Sequence, residues 1–344
     1  MIRVGLIGYG LGGESFHAPT IRCTPGLELA CIVSPSGTRR NFPAGVRVGR
    51  SVHEMLSDES LRLCVVTSPN QFHFEHARLC LEAGRDTVVD KPFTITSEDA
   101  RQLIGIARER GRLLSVFHNR RWDGEFSTLQ ELISSGSLGR IVEVESRYDR
   151  FRPALKPDAW REKPEPGAGV LYDLSPHLSD QIFALFGEPE AVTATVSALR
   201  DNARADDSFD IRLHYPRMQA RLRATMLACA PGPRWIVHGT RGSFIKYGMD
   251  PQEAPLRRGE MYDSPNWGEE PEESWGTLSA ADGDSVRTEE IKTDRGDYRG
   301  YYENVRDAIL RAMPLAVTAE DGLRTIRAIE LARESSATGR TIAW

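Results

Sequence analysis

The sequence predicts an α/β domain with a doubly wound parallel sheet, followed by an α+β domain with an open, mostly antiparallel sheet. Up to Phe117, short apolar runs alternate with stretches of helical periodicity, whereas later strand-like runs follow one another with few helices between them. Polarity rises sharply after Phe117. We therefore expect one domain over residues 1–118 and a second over residues 119–344, whose C-terminal helices could pack back on the first.

The composition is that of an ordinary globular protein. The chain has 344 residues, a length typical of about two domains. Apolar residues make up 40% and charged residues 27%, and a net charge of -5 gives no basic surface for nucleic acid. We therefore expect no nucleic-acid partner.

The sequence contains no predicted targeting segment and no cysteine motif. No apolar run is long enough to predict a membrane span, and Met1 leads directly into a strand-like run, so we expect neither a membrane partner nor a signal peptide. The five cysteines are an odd number without metal-binding spacing, which favours reduced core thiols. Together these features predict a cytoplasmic protein without a metal centre.

The first apolar run, Ile2–Ile7, leads without a break into Gly8-Tyr9-Gly10-Leu11-Gly12-Gly13. The spacing Gly-x-Gly-x-x-Gly directly after a buried strand is typical of a dinucleotide-binding turn. Gly8 permits the tight turn, Gly10 lets the backbone approach a pyrophosphate, and Gly13 lets the following helix pack close to the strand. The first domain is therefore predicted to be a Rossmann domain. Its first cofactor contacts are predicted at Gly8, Tyr9, Gly10, Leu11 and Gly13.

The second predicted strand, 27–33, is followed by hydroxyl side chains and two arginines. In NAD-specific sites, an acidic residue about 20 positions beyond the glycine turn bonds the ribose 2′-hydroxyl. Ser34, Ser36, Arg39 and Arg40 stand here instead, and a 2′-phosphate needs such donors and positive charge. We predict NADP as the cofactor, with NAD as the alternative. The same arginines also suit an ordinary solvated loop.

The third predicted strand ends in a polar loop that contains Thr67, Pro69, Asn70 and His73. Ligands of open parallel sheets bind beyond the carboxyl ends of the strands, so these four residues are predicted to contact the cofactor. His73 and His76 could form a metal pair, but no carboxylate or cysteine ligand set accompanies them. The start of a helix is the favoured interpretation.

The next strand, 87–90, runs into Lys91 and Pro92. Burial at the carboxyl end of a strand strips water from an ammonium group, which suits proton transfer or the polarisation of an alcohol oxygen. Lys91 is therefore a candidate catalytic residue. The alternative is an exposed lysine at a strand end, without a catalytic role. The sequence does not show whether the Lys91–Pro92 bond is cis.

Strand-like runs dominate the second half of the chain. A run that alternates over 141–148 follows a helix predicted over 125–134. Further strands are predicted over 191–199, 208–214, 218–226, 234–237, 243–247 and 285–291. The stretch 248–284 is rich in Pro, Gly, Glu and Asp and predicts a long surface excursion. Helices predicted over 301–313 and 320–335 close the chain.

An apolar stripe with helical spacing begins at Leu171 and predicts a helix that ends before Gly187. Asp173 and His177 lie four residues apart on a different face of this helix. An aspartate one turn from a histidine can fix its tautomer and make the imidazole a competent base near neutral pH. A surface ion pair and a two-ligand metal site are the alternatives, although no third ligand is evident. Pro176 could delay or kink the helix.

Together these motifs resemble the Gfo/Idh/MocA oxidoreductases, which join a Rossmann domain to an open-sheet substrate domain. The resemblance covers essentially the whole chain and rests on the glycine turn, the loop 67–73, Asp90-Lys91-Pro92, and Asp173 with His177. The family's usual Glu-Lys-Pro stands here as Asp90-Lys91-Pro92, which keeps the charge on a shorter side chain. Further stretches resemble the NADP-dependent scyllo-inositol dehydrogenase branch: Phe16-His17-Ala18-Pro19, 118–123, Trp160-Arg161-Glu162, Tyr172-Asp173-Leu174 and 244–248.

The resemblance implies reversible hydride transfer between NADP(H) and a secondary alcohol of a cyclic polyol or sugar, with a scyllo-inositol-like substrate favoured. It implies that Lys91 polarises the reacting oxygen, that His177 exchanges its proton and that Asp173 orients the pair. Lys91 and His177 could exchange roles. Further cofactor contacts are implied at Asp90, Lys91, Asn119, Arg120, Trp160 and Arg161. Substrate contacts are implied at Lys91, Tyr172, Asp173, His177 and Tyr302.

Two other functions stay open. An oxidoreductase of the same family could act on an aldose or a keto sugar, and a non-catalytic protein that senses NADP(H) could retain the fold. The complete set of Lys91, Asp173 and His177 favours an enzyme. Because one face of an antiparallel sheet often needs covering, we also expect a homo-oligomer, either a dimer or a tetramer.

Overall fold

The computed structural model describes residues 1–34, 42–156 and 159–344, which form two compact units. Unit 1 comprises Met1–Asn119, Gln252–Trp267 and Asp297–Ile326. Unit 2 comprises Arg120–Pro251, Gly268–Gly296 and Arg327–Trp344. The polypeptide thus leaves unit 1 after residue 119 and returns to it twice.

Unit 1 is built on a parallel sheet. Its strands are β1 (Ile2–Ile7), β2 (Leu27–Val33), β3 (Arg47–Gly49), β4 (Leu63–Val66), β5 (Asp86–Val89) and β6 (Leu114–Val116). They pair in the order β3-β2-β1-β4-β5-β6, and every pair is parallel. This order is that of a Rossmann domain, in which the chain starts in the middle and winds outward in both directions. The predicted α/β fold is therefore confirmed.

Helices alternate with these strands. A π-helical turn, Gly12–His17, leads directly into α1 (Ala18–Arg22). The next helices are α2 (Val52–Leu56), α3 (His73–Glu82) and α4 (Ser97–Glu109). Every residue of β4, β5 and β6 is buried, so none of the three strands alternates between exposed and buried side chains.

From residue 120 the chain forms five helices and nine strands within the described part. They are α5 (Gly124–Ser134), β7 (Ile141–Asp149), α6 (Gly169–Phe186), β8 (Ala191–Ser197), β9 (Ser208–Tyr215), β10 (Met218–Thr225), β11 (Trp235–Gly239), β12 (Gly242–Lys246), α7 (Glu253–Arg257), β13 (Gly276–Asp282), β14 (Ser285–Ile291), α8 (Arg299–Arg311), α9 (Ala319–Thr338) and β15 (Ile342–Ala343). Single helical turns at 119–122, 160–162 and 272–274 are not counted among them.

Unit 2 is built on one nine-stranded sheet with the order β14-β13-β12-β11-β7-β10-β9-β8-β15. Neighbouring strands are antiparallel except for β7 and β10, which are parallel. The apolar stripe of α6 is buried, with Leu171, Leu174, Leu178 and Ile182 at most 3% exposed. The helix runs through Pro176 without a break. The predicted open, mostly antiparallel sheet is confirmed.

The prediction of a long surface excursion over 248–284 is wrong. This stretch contains α7 and β13, and both Tyr262 and Trp267 are 6% exposed. Within unit 1, the Tyr262 hydroxyl lies 2.6 Å from Thr20 Oγ1. The polar composition of the stretch concealed these buried aromatic residues, and the small side chains of β13 give no apolar alternation.

α8 contributes three buried side chains, Tyr301, Tyr302 and Val305, to unit 1. The Tyr301 hydroxyl lies 2.7 Å from Ser115 Oγ of β6, so this late helix packs at the β6 side of the sheet. Among the described residues, no helix has the length and apolar character needed to cross a membrane.

Candidate active site

The glycine turn after β1 has the backbone that its motif requires. Gly8 has a φ of +97°, in the left-handed region that favours glycine. A Cβ on Gly13 would lie 2.4 Å from the Gly8 carbonyl oxygen, so only glycine allows this approach of helix to strand. A Cβ on Gly10 would meet no atom within 4 Å. Gly10 therefore borders open space, which fits the approach of a pyrophosphate.

Thr67 joins the loop after β4 to this turn. Its hydroxyl donates to the Gly8 carbonyl oxygen at 2.8 Å, and its backbone N–H donates to the Ile7 carbonyl oxygen at 2.8 Å. The two strand ends are thus fixed side by side at the carboxyl edge of the sheet.

The other predicted cofactor contacts around the turn differ in exposure. Tyr9, Ser34 and Asn70 are buried, and Leu11 and Pro69 are exposed. The Tyr9 ring packs against Phe42 with 5.1 Å between ring centroids. Three more predicted contacts, Ser36, Arg39 and Arg40, lie outside the described residues.

Lys91 lies two residues beyond the end of β5, at the carboxyl edge of the sheet as the strand pattern predicts. Its backbone N–H donates to Asp90 Oδ1 at 2.8 Å, and the Lys91–Pro92 peptide bond is cis. A Cβ on Gly12 would lie 2.8 Å from Asp90 Oδ2. The Asp90 carboxylate therefore faces the helix that follows the glycine turn, and the candidate catalytic lysine is its neighbour.

His17 lies behind Asp90 and is fully buried. Its Nε2 is 3.6 Å from Asp90 Oδ1, and its Nδ1 is 2.6 Å from the Tyr302 hydroxyl oxygen. Burial works to raise the pKa of Asp90, but His17 and Lys91 prevail and lower it, so Asp90 is held as a carboxylate. The Tyr302 hydroxyl thus meets His17, and its predicted contact with a substrate stays a prediction.

His73 begins α3, as the favoured interpretation predicts, and it is 1% exposed. Its Nδ1 lies 2.8 Å from the Pro92 carbonyl oxygen, and its Nε2 lies 2.8 Å from the Ser68 carbonyl oxygen. The neighbouring His76 places Nδ1 2.9 Å from Ser68 Oγ. The His73 ring therefore connects two loops through protein carbonyls, and its predicted contact with a cofactor stays a prediction.

In unit 2, Asp173 and His177 both lie on α6, one turn apart as predicted. Asp173 Oδ1 is 3.4 Å from Arg161 Nε, and its Oδ2 is 3.9 Å from Arg150 Nη1. The His177 ring is 8% exposed and lies edge-on to Tyr148, with 6.4 Å between ring centroids. Two cations thus face the Asp173 carboxylate, and the sequence analysis did not single out Arg150.

Arg161 also stacks on Trp160, with its guanidinium carbon 4.7 Å from the ring centroid. Both residues stand on the single helical turn Trp160–Glu162, which Arg200 anchors. Arg200 Nη2 donates to Glu162 Oε2 at 2.6 Å, and its Nε donates to Asp207 Oδ2 at 2.9 Å. No local motif pointed to Arg200, because its partner Glu162 lies 38 residues away in the sequence.

Arg120 and Arg121 anchor α6 one turn beyond His177. Arg121 donates two hydrogen bonds to Asp180, at 2.8 and 2.6 Å, and Gln181 Nε2 donates to the Arg120 carbonyl oxygen at 2.7 Å. The Arg120 side chain is 6% exposed and lies 3.3 Å from Asp123, whose pKa burial raises well above its usual range. The predicted cofactor contact of Arg120 stays a prediction, and the structure shows a buried anchor.

Two further predicted residues are buried. Asn119, the last residue of the first segment of unit 1, is 7% exposed, and Tyr172 on α6 is 5% exposed. The guanidinium of Arg333 lies 5.1 Å from the Tyr172 ring centroid. Burial raises the pKa of Tyr172, so its hydroxyl keeps its proton near neutral pH.

Comparison with known proteins identifies both halves of this arrangement. The description "Oxidoreductase family, NAD-binding Rossmann fold" matches residues 2–118, and "Oxidoreductase family, C-terminal alpha/beta domain" matches residues 130–344. The chain belongs to the Gfo/Idh/MocA oxidoreductase family.

Individual members of the family match nearly end to end. Oxidoreductase YdgJ of Escherichia coli (strain K12) is 44% identical over 337 residues, which are 97% of this chain and 96% of that protein. The scyllo-inositol 2-dehydrogenase (NADP(+)) IolW of Bacillus subtilis (strain 168) is 41% identical over 343 residues, 99% of this chain and 95% of that protein. The structure of the oxidoreductase yvaA from Bacillus subtilis superposes with a TM-score of 0.96 at 42% identity and covers 100% of this chain and 98% of its own.

This Gfo/Idh/MocA chain is therefore an NAD(P)-dependent oxidoreductase, as the resemblance of its motifs implies. The residues of unit 1 fit the cofactor of such an enzyme. Gly8 makes the turn, Gly10 leaves room beside the backbone, and Gly13 allows the helix to start close to the strand.

Proposed function

We propose that the enzyme transfers a hydride reversibly between NADP(H) and a secondary alcohol of a cyclic polyol or sugar, with a scyllo-inositol-like polyol as the favoured substrate. One relative whose name states this activity is 41% identical over 343 residues. The structural observation that carries the proposal is Lys91, which follows Asp90 at the same edge of unit 1 as the glycine turn.

Oxidation of a secondary alcohol removes a hydride from the carbinol carbon and a proton from its oxygen, and it leaves a ketone. When bound, the nicotinamide accepts that hydride. The chain then has to bind both molecules and handle the proton. In the proposal, the turn of Gly8, Gly10 and Gly13 holds the pyrophosphate, Lys91 polarises the reacting oxygen, and His177 takes its proton.

Asp173 orients the reacting groups in this proposal. It lies one turn from His177 on α6, and its two carboxylate oxygens face Arg161 and Arg150. A carboxylate fixed by two cations is a rigid partner for an imidazole or a substrate hydroxyl. This arrangement supports an orienting role for Asp173.

The preference for NADP is proposed from the residues that follow β2. The strand leads to Ser34 and then to Arg39 and Arg40, without an acid, and the relative IolW is named for NADP(+). Alanine at Arg39 and Arg40 removes charge-assisted bonds to a 2′-phosphate, so the KM for NADP should rise about 10- to 100-fold. The KM for NAD should change little, and equal rises for both cofactors would contradict the preference.

The experiment that tests the activity measures NADPH formation by its fluorescence across a panel of inositol isomers, aldoses and keto sugars. The expected result is fastest turnover with scyllo-inositol, and turnover about 10²- to 10⁴-fold slower with the Lys91→Ala variant. Fastest turnover with an aldose, or with a keto sugar in the reverse direction, would replace the proposed substrate. Binding of NADPH without turnover of any compound would favour the alternative of a non-catalytic sensor of NADP(H).

A further inference from the structure

His73 lies between two loops at the carboxyl edge of the unit 1 sheet. Its Nδ1 is 2.8 Å from the carbonyl oxygen of Pro92, the residue directly after Lys91. Its Nε2 is 2.8 Å from the carbonyl oxygen of Ser68, in the loop after β4. Thr67 of that loop is bonded to the glycine turn. A single buried ring therefore connects the segment that carries Lys91 to the loop beside the cofactor turn.

The same segment is held from its other side. Asp90 accepts from the Lys91 backbone N–H, and His17 Nε2 lies 3.6 Å from the Asp90 carboxylate. Lys91 thus lies between Asp90, whose carboxylate faces His17, and Pro92, whose carbonyl oxygen faces His73. The Lys91 side chain is half-buried, while a buried ring faces the Asp90 carboxylate on one side of it and the Pro92 carbonyl oxygen on the other.

A neutral His73 can donate to only one of the two carbonyl oxygens, although both lie 2.8 Å from a ring nitrogen. A backbone carbonyl oxygen only accepts hydrogen bonds, and a neutral imidazole carries one N–H. Burial lowers the pKa of His73, and the Asp90 carboxylate opposes that shift. His76, the other titratable group beside the ring, has its own pKa lowered by burial and by His73. Whether Nδ1 carries a proton therefore decides whether the Lys91 segment is bonded.

We propose that His73 is a positioning residue whose Nδ1–H donates to the Pro92 carbonyl oxygen and so fixes the backbone on which Lys91 stands. The inference rests on the proposed role of Lys91. His73 acts through the backbone and not on the reacting atoms. Because a displacement of about 1 Å can cost about 100-fold in rate, a loss of this bond should lower kcat more than it affects cofactor binding.

Two substitutions at this position separate the two contacts. The side-chain amide nitrogen of His73→Asn stands near the place of Nδ1, and that of His73→Gln stands near the place of Nε2. His73→Asn should keep kcat within about 3-fold of the wild type, since it still donates toward Pro92. His73→Gln should lower kcat about 10- to 100-fold with an unchanged dissociation constant for NADPH. Equal kcat values for the two variants would overturn the proposal.

His76→Leu is the matched control. His76 lies on the same helix and bonds Ser68 Oγ, not the Lys91 segment, so this variant should turn over as the wild type does. In a Lys91→Ala background, His73→Gln should cause no further loss of kcat, because both changes act through one side chain. A full additional loss in that background, or a loss in His76→Leu equal to that in His73→Gln, would contradict a role through Lys91.

A spectroscopic readout needs no substrate. In protein labelled with ¹⁵N-histidine, long-range ¹H–¹⁵N spectra should show His73 Nδ1 as a protonated nitrogen, with His73→Asn used to assign its signal. An unprotonated Nδ1 would overturn the proposal. If the wild type oxidises none of the polyols, the proposed function is wrong. The spectrum still decides whether His73 bonds the Lys91 segment.

Discussion

Lys91 takes its place from two features of its immediate surroundings. It follows a strand that is buried throughout, and its backbone N–H is bonded to the Asp90 carboxylate, whose pKa is lowered despite burial. The lysine therefore stands on a fixed backbone at the edge where ligands of parallel sheets bind. His177 is fixed differently, on a long helix whose next turn is anchored through Asp180 and Gln181.

Substitution of either group should remove most of the turnover. General acid–base help is worth about 10²- to 10⁴-fold, so Lys91→Ala or His177→Ala should lower kcat by that factor while NADPH still binds. The measurement is NADPH formation, with NADPH affinity taken from fluorescence titration. Lys292→Ala, at an exposed lysine after β14, should retain wild-type turnover. Near-normal turnover in both test variants would refute the assignment.

Residues with a local pattern could be predicted from the sequence, and those with long-range partners could not. Its strand end marks Lys91 as a candidate, and helical spacing marks Asp173 with His177; the structure confirms these positions, and the catalytic roles stay predictions. The contact between His17 and Tyr302 joins residues that are 285 positions apart. Such pairs meet only after α8 has returned to unit 1, so no short stretch of sequence contains the information.

At the level of the element, the turn between β1 and the first helix offers a matched pair of glycines. A Cβ on Gly13 would lie 2.4 Å from backbone oxygen, whereas a Cβ on Gly10 would meet no atom within 4 Å. Gly13→Ala should therefore lower the melting temperature, because backbone must shift to relieve the overlap. Gly10→Ala should melt like the wild type but bind NADPH more weakly, since the added methyl group occupies the approach of the pyrophosphate.

Thermal melts and NADPH titrations of these two variants separate a folding role from a binding role. A lower melting temperature for Gly10→Ala than for Gly13→Ala would contradict the assignment of open space beside Gly10. Unchanged NADPH affinity in Gly10→Ala would show that the pyrophosphate does not bind beside Gly10.

α6 is a second element whose position depends on one buried contact. Arg121 and Asp180 form a two-bond ion pair with side chains 15% and 2% exposed. Removal of one partner from a buried pair leaves an uncompensated charge, which typically costs about 3 to 5 kcal/mol. Asp180→Ala should therefore lower the urea midpoint of unfolding markedly. Glu289→Ala, which breaks an exposed pair with Arg287, should leave the urea midpoint nearly unchanged. Similar midpoints for the two variants would show that the buried pair does not anchor α6.

Elements with a strong pattern could be predicted, and weakly patterned elements could not. β4 is a continuous apolar run, and β1 and β2 each contain one charged residue, Arg3 and Glu28, in otherwise apolar sequences, as burial on both faces of the sheet requires. β13 has the sequence Gly-Thr-Leu-Ser-Ala-Ala-Asp, with one large apolar side chain, and it is held by pairing with β12 and β14. β3 and β15 have three and two residues, too few for any periodicity to be visible.

At the level of the whole molecule, neither unit is one continuous stretch of the sequence. Residues 252–267 and 297–326 belong to the unit that begins at Met1. A change in polarity after Phe117 marks where the chain first leaves unit 1, but nothing local marks its two returns. These depend on contacts such as that of Tyr262 with Thr20, which lie 242 positions apart.

Both units contain histidines whose pKa the fold lowers. Burial lowers the pKa of His73 and His76 in unit 1 and of His214 in unit 2 from the usual value of 6.5. Each histidine therefore takes up a proton more readily in the unfolded chain than in the folded one. Its contribution to stability is complete above about pH 6.5 and is lost as the pH falls through the folded pKa.

The free energy of unfolding should consequently hold steady between about pH 8 and pH 7 and then decline toward pH 5. His73 contributes to that decline because burial lowers its pKa in the folded state, so the unfolded chain binds more protons in this range. Asp90, whose pKa is lowered from 3.8, adds a second loss as the pH falls further through its folded pKa. Urea midpoints measured across this range test the sign, and His73→Asn should flatten the part between pH 7 and pH 5. A midpoint that does not change down to pH 5, or the same slope in wild type and His73→Asn, would show that folding does not lower the pKa of His73.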